Sequence, residues 1–135
     1  MIGLDSNILL RAVLNNDKLW SGPADAFIAA KCTIEQPGYI NAIVLAEIVW
    51  VLRRRPEFDR QKLADFVEGL LDADNLVIGE ETAVIAALEH FRKGKAGFVD
   101  YLIAELNQGA GAAPTFTLDG DAGLHGAFSP ISPES

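Results

Sequence analysis

At 135 residues, half of them apolar and 22% charged, the chain is long enough to bury one core and too short to build two. Its formal net charge of −8, from 19 acidic and 11 basic residues, argues against non-specific nucleic-acid affinity, which rests on clustered Lys and Arg. A single cysteine, Cys32, excludes an internal disulfide and a cysteine-built metal centre.

Taken in order, Ile2 to Leu4 reads as a strand that delivers Asp5 at its carboxyl end, and Ser6 to Leu14 as a short helix. In open α/β sheets, ligands bind beyond the carboxyl ends of the strands. Asp5 is therefore placed either at a ligand rim or simply as a helix cap. The N-terminus carries no basic region ahead of an apolar core, so a cytoplasmic protein is expected. Ser21-Gly22-Pro23 opens a second helix through Lys31. Gln36-Pro37-Gly38 is a turn, and Tyr39 to Asn41 a short strand whose last residue can cap the helix that follows.

Ala42 to Arg54 is a helix apolar nearly all round, hence expected to be largely buried. Glu47 interrupts its apolar run, which is too short to span a bilayer. Pro56 stops that helix, and Asp59 caps an amphipathic one through Leu71. Leu76 to Ile78 is a third strand. Thr82 to Lys93 and Gly97 to Gln108 are helices, each followed by glycine. Thr115 to Thr117 is a fourth strand, and residues 129–135, with two prolines, read as a frayed tail of a single domain. Short strands alternating with helices imply a three-layer α/β/α sandwich around a mostly parallel sheet of four to five strands.

Several acids stand where apolar residues would be cheaper. Glu47 has Ile43, Val44, Trp50 and Val51 as its three- and four-residue neighbours. A carboxylate on such a stripe is costly unless paired, either with a buried Arg or Lys or with a bound cation. Asp100 sits among Ala96, Gly97, Ile103 and Ala104, or serves as a first-turn acid favoured by the helix dipole. Asp119 follows the last strand as Asp5 follows the first, or belongs to an Asp-Gly turn. Asp121 is its alternate. Four such carboxylates meeting in one pocket would repel each other without a cation. All-oxygen ligation suits Mg²⁺ or Mn²⁺, and the matching chemistry is hydrolysis of a phosphoryl ester. His90 and His125 are isolated, which argues against zinc. Five of the eleven basic residues fall between Arg53 and Lys62, and three more at Arg92, Lys93 and Lys95. They read as solvated helix ends or as a guide for phosphates.

Leu4-Asp5-Ser6-Asn7, the run 46–54 around Glu47, Phe98-Val99-Asp100-Tyr101 and Thr117-Leu118-Asp119-Gly120-Asp121 together make the chain similar to the PIN-domain family. It most resembles the VapC-type toxins of bacterial toxin–antitoxin pairs. The resemblance implies a metal-dependent ribonuclease with Asp5, Glu47, Asp100 and Asp119 as its acidic quartet. It also implies supporting roles for Ser6, Asn7 and Thr117, and candidate RNA contacts at Arg53, Arg54, Arg55, Lys93 and Lys95. A homodimer and a cognate VapB-type antitoxin are implied as well. Ser6 replaces the commoner Thr, and Gly120 and Ala122 stand where bulkier residues are usual, so the fourth acid stays open between Asp119 and Asp121.

Two rivals come from other classes. A haloacid-dehalogenase-type phosphatase would use Asp5 as nucleophile, yet Asn7 stands where that chemistry wants a second Asp. A catalytically silent binding module of the same fold would act only through its partner.

Overall fold

Parallel strands joined by helical crossovers all end at the same edge of their sheet, and that edge organises the first part of this chain. The computed structural model describes residues 1–120 and 126–133. Its contacts group the chain into two compact units, residues 1–79 and 80–135.

The first unit contains β1 (Ile2–Gly3), α1 (Ser6–Leu14), α2 (Ser21–Lys31), β2 (Gly38–Ile40), α3 (Ala42–Leu52), α4 (Arg60–Asp72) and β3 (Leu76–Ile78). The three strands pair in parallel in the order β1-β2-β3, with Ile2 opposite Gly38 and Ile40 opposite Ile78. Asp5, Asn41 and Gly79 therefore follow the carboxyl ends of three adjacent strands. Helix starts at this edge are fixed by side-chain caps. Asp5 accepts the backbone N–H of Ser6 at 2.8 Å, and Asn41 accepts that of Val44 at 2.8 Å. Asp59 likewise accepts the N–H of Lys62 ahead of α4. Gly79 donates its N–H to the Ile40 carbonyl at 2.8 Å. A Cβ there would run into the Tyr39 hydroxyl, so any side chain would force that ring to shift.

The core of this unit is Leu4, Leu9, Leu10, Ile40, Val44, Leu45, Ile48, Val49, Leu52, Leu63, Val67 and Ile78. α1 packs against α2 and α3, and α4 against β3. Expectation fails at α3, which is not buried all round. Ile43 is 72% exposed, Trp50 44% and Val51 36%, while Val44, Leu45, Ile48, Val49 and Leu52 are buried. An eleven-residue helix has room for one stripe against the sheet and α1, and the apolar residues beyond that stripe face water. The helix also stops at Leu52, two residues before the expected end.

The second unit contains α5 (Glu81–Lys93), α6 (Phe98–Gly109), β4 (Thr115–Thr117) and β5 (Phe128–Pro130). α5 and α6 pack along Val84, Ala87, Leu88 and Phe91 against Phe98, Tyr101 and Leu102. Phe91 and Phe98 meet edge to face at 6.0 Å. At the turn between these helices, the Tyr101 hydroxyl accepts the Ala96 N–H at 3.3 Å. A Cβ on Gly94 would occupy that hydroxyl's place.

β4 and β5 pair in parallel, Thr115 opposite Phe128 and Thr117 opposite Pro130. The expected tail thus begins inside a strand. Two prolines suggested fraying, but Phe128 is buried against Tyr101 at 6.3 Å and anchors the segment. Pro130 stands at the strand's last position, where its missing N–H costs least, and Ile131 donates to the Thr117 carbonyl at 2.9 Å. The described strands pair as a three-stranded and a two-stranded sheet, a small strand count compatible with the expected α/β architecture. The fold class is α/β, with six helices and only parallel strand pairings among the described residues. No helix of those residues is long and apolar enough to cross a membrane.

Candidate active site

Asp5 lies just past β1, and Ser6 opens α1 with its side chain buried. The chain turns there because the Asp5 carboxylate takes the first free N–H of the helix. The turn directs Ser6 inward, where its Oγ donates to Glu47 Oε2 at 2.9 Å. The same Oγ lies 3.5 Å from Asp5 Oδ1. One hydroxyl therefore joins two carboxylates whose positions differ by 42 in the sequence. The helix-cap and ligand-rim readings of Asp5 are compatible: one oxygen caps while the exposed carboxylate faces the sheet edge.

Glu47 departs from expectation. It is exposed, on the water-facing stripe of α3 with Ile43, Trp50 and Val51, rather than on a buried one. The three- and four-residue spacing put it among those neighbours correctly, but apolar neighbours do not establish burial. The pairing with a buried Arg or Lys does not occur either. Among the described residues, no basic side chain lies within ion-pair distance of Asp5 or Glu47. Two carboxylates and a hydroxyl make an all-oxygen donor set with no neutralising neighbour. Mg²⁺ is commonly held in this way, by one or two carboxylates with several waters retained. The pair fits such an ion.

Asn7 is exposed, and its side chain makes no hydrogen bond among the described residues. Instead it lines an apolar groove of about 530 Å³ with Ile8, Arg11, Trp20, Pro23, Ala24 and Phe27, between α1 and α2. Asp17 ties together two residues of its lining, Arg11 and Trp20. Its carboxylate accepts the N–H groups of Trp20 at 2.8 Å and Leu19 at 2.9 Å and pairs with Arg11 at 3.3 Å. The Trp20 and Leu19 bonds, with Arg11 behind them, hold this carboxyl below its usual range.

In the second unit, Asp100 is half-buried in the first turn of α6, where its Oδ2 accepts the Gly97 N–H at 3.1 Å. The expected first-turn role is thus present, and it leaves Oδ1 for another partner. Asp119 is exposed, two residues past β4, and donates its N–H to Thr117 Oγ1 at 3.0 Å. Asp121 and His125 lie outside the described residues. Among the described residues, no group of three or more His, Cys, Asp or Glu side chains is gathered tightly enough to hold a metal ion. The acids that are directly joined are Asp5 and Glu47, through Ser6.

His90 is not isolated: its Nε2 lies 3.1 Å from Glu105 Oε1 and its ring 5.9 Å from that of Tyr101. Of the candidate RNA contacts, Arg55 pairs with Glu57 at 3.0 Å. Arg53 and Arg54 instead carry their guanidinium carbons 4.2 and 5.5 Å from the centre of the Trp50 ring. Lys93 and Lys95 are exposed at and beyond the end of α5. Sequence reasoning missed Trp50, although its spacing of three and four residues from the two arginines marked it. It also missed the α1–α2 groove.

A family sequence profile described as the PIN domain matches residues 2–123, nearly the whole chain. A search of curated proteins finds no match.

Proposed function

The chain belongs to the PIN-domain family, whose members are generally metal-dependent nucleases, and we propose that it is a Mg²⁺- or Mn²⁺-dependent ribonuclease acting in the cytoplasm. The observation that carries this reading is the Asp5–Ser6–Glu47 constellation: two carboxylates joined by one buried hydroxyl, with no cationic side chain among the described residues to neutralise them.

Asp5 and Glu47 would hold the ion, and Ser6 fixes the Glu47 carboxylate by donating to one of its oxygens. The family resemblance assigns Asp100 and Asp119, with Asp121 as the alternate to Asp119, as the remaining acids of the quartet. A divalent cation supplies Lewis acidity at the phosphate and lowers the pKa of its bound water. The Asp5 carboxylate also accepts the first N–H of α1, which limits its rotation. Arg53 and Arg54, with Lys93 and Lys95, attract the RNA backbone toward an acidic site that would otherwise repel it.

Within this reading the protein is the VapC-type toxin of a toxin–antitoxin pair. It works as a homodimer and is silenced by a VapB-type antitoxin that presents a cation to the acids. The test is RNA cleavage in the presence and absence of Mg²⁺ by the wild type, Asp5→Asn and Glu47→Gln. Wild type should cut only with the metal, and both variants should fall by orders of magnitude. Full activity in either folded variant defeats the assignment. Calorimetric titration that finds no Mn²⁺ binding by the wild type would favour the silent binding module instead.

A further inference from the structure

We propose that Trp50, braced by Arg53 and Arg54, is a stacking platform for a base of single-stranded RNA beside Glu47; the choice of RNA rests on the nuclease reading above. The ring is 44% exposed, although an indole is among the side chains with most to gain from burial. It lies one helical turn beyond Glu47 on the same stripe of α3. Two guanidiniums lean on it, at 4.2 and 5.5 Å from its centre.

Neither Arg53 nor Arg54 is in an ion pair among the described residues, whereas neighbouring Arg55 is paired with Glu57. In a chain of net charge −8, these are two uncompensated positive charges anchored to an exposed aromatic. The cation–π contacts restrict the ring, so less freedom is lost when a base stacks on its exposed surface. Arg53 and Arg54 are exposed, so phosphates on either side of that base can pair with them. An apolar protein partner laid over the stripe would bury both charges without compensation, at substantial cost. A nucleotide supplies the aromatic and the anion together. Stacking of this kind needs a base that is not already stacked inside a duplex, so the platform selects single strands.

The experiment measures binding of the full chain, in EDTA so that nothing is cut, to three labelled probes. These are a short single-stranded RNA, the same strand with its bases removed, and a blunt duplex of the same sequence. Trp50→Ala should weaken the single strand about 5- to 100-fold, leave the baseless strand unchanged, and spare the duplex. Trp50→Phe should retain most of the affinity. Arg53→Gln and Arg54→Gln should weaken both single strands alike, and each should lower the salt slope by about one.

Wild-type affinity in Trp50→Ala, equal loss on the baseless strand, or no binding of any probe by the wild type overturns the platform. So does a Trp50→Ala variant whose mass in solution drops while its RNA binding holds, which would mark the stripe as a contact between protein chains. Cleavage in Mg²⁺ is read separately. Trp50-dependent binding without any cleavage keeps the platform and removes the nuclease, while cleavage without Trp50 dependence does the reverse.

Discussion

Ser6→Ala isolates the link on which the candidate site depends. The substitution deletes one oxygen, leaves the backbone N–H that Asp5 accepts, and removes the 2.9 Å bond to Glu47 Oε2. Hydrogen bonds to charged groups contribute about 1.5–3 kcal/mol when both partners are dry. Glu47 is exposed, however, so water replaces the lost donor and the stability cost should be only about 1 kcal/mol. The effect on ion binding should be larger, because a freed Glu47 must be immobilised again at each binding event. Loss of a group that orients a metal ligand typically costs about 10–100-fold in affinity or activity. Ser6→Thr, which keeps the hydroxyl, should stay close to wild type. Urea unfolding gives the first quantity, and Mn²⁺ calorimetry with RNA cleavage gives the second. A Ser6→Ala protein that binds Mn²⁺ and cuts RNA like wild type would show that the hydroxyl is only packing.

Three further outcomes follow from the geometry. Gly94→Ala should destabilise the protein by about 1–3 kcal/mol, because its Cβ takes the space of the Tyr101 hydroxyl; in a double-mutant cycle, Tyr101→Phe should return part of that loss, and strict additivity would refute the clash. Burial raises the Cys32 thiol above its usual range, so it should alkylate slowly under native conditions at mildly alkaline pH and quickly in urea, and its contribution to stability, present at neutral pH, should be lost as pH rises through the folded value. The Asp17 carboxyl is lowered instead, so its contribution is present above the ordinary carboxylate range and fades as pH falls through the folded value; Asp17→Asn should flatten the acid limb of a thermal-stability profile, and an unchanged limb would count against its role.

Much of the local structure could be read from the sequence. Asp5, Asn41 and Asp59 signalled the helix starts they cap, and Gly94 marked the end of α5. These signals are carried by one or two neighbouring residues, which is why they survive without tertiary information. The exposed face of α3 was not legible, since Ile43, Trp50 and Val51 look like core until the number of surfaces available to the helix is known. The Ser6–Glu47 bond was equally hidden, because it depends on how α1 crosses α3 and not on any spacing in the chain. The second strand of the smaller sheet was missed because prolines outweighed a single phenylalanine, and the energetics favour the ring once Tyr101 is there to receive it. For the acids, residue type and order were sufficient to identify the family, whereas their individual environments were set by packing.

The position of Phe128 bears on how this protein should be handled. Shortening the chain to Gly126, as the proline-rich ending invites, would strip β4 of its strand partner among the described residues and uncover a tyrosine ring at the heart of the second unit. A crystallographer trimming apparent slack, or a protease nicking ahead of that residue, would be removing structure rather than surplus.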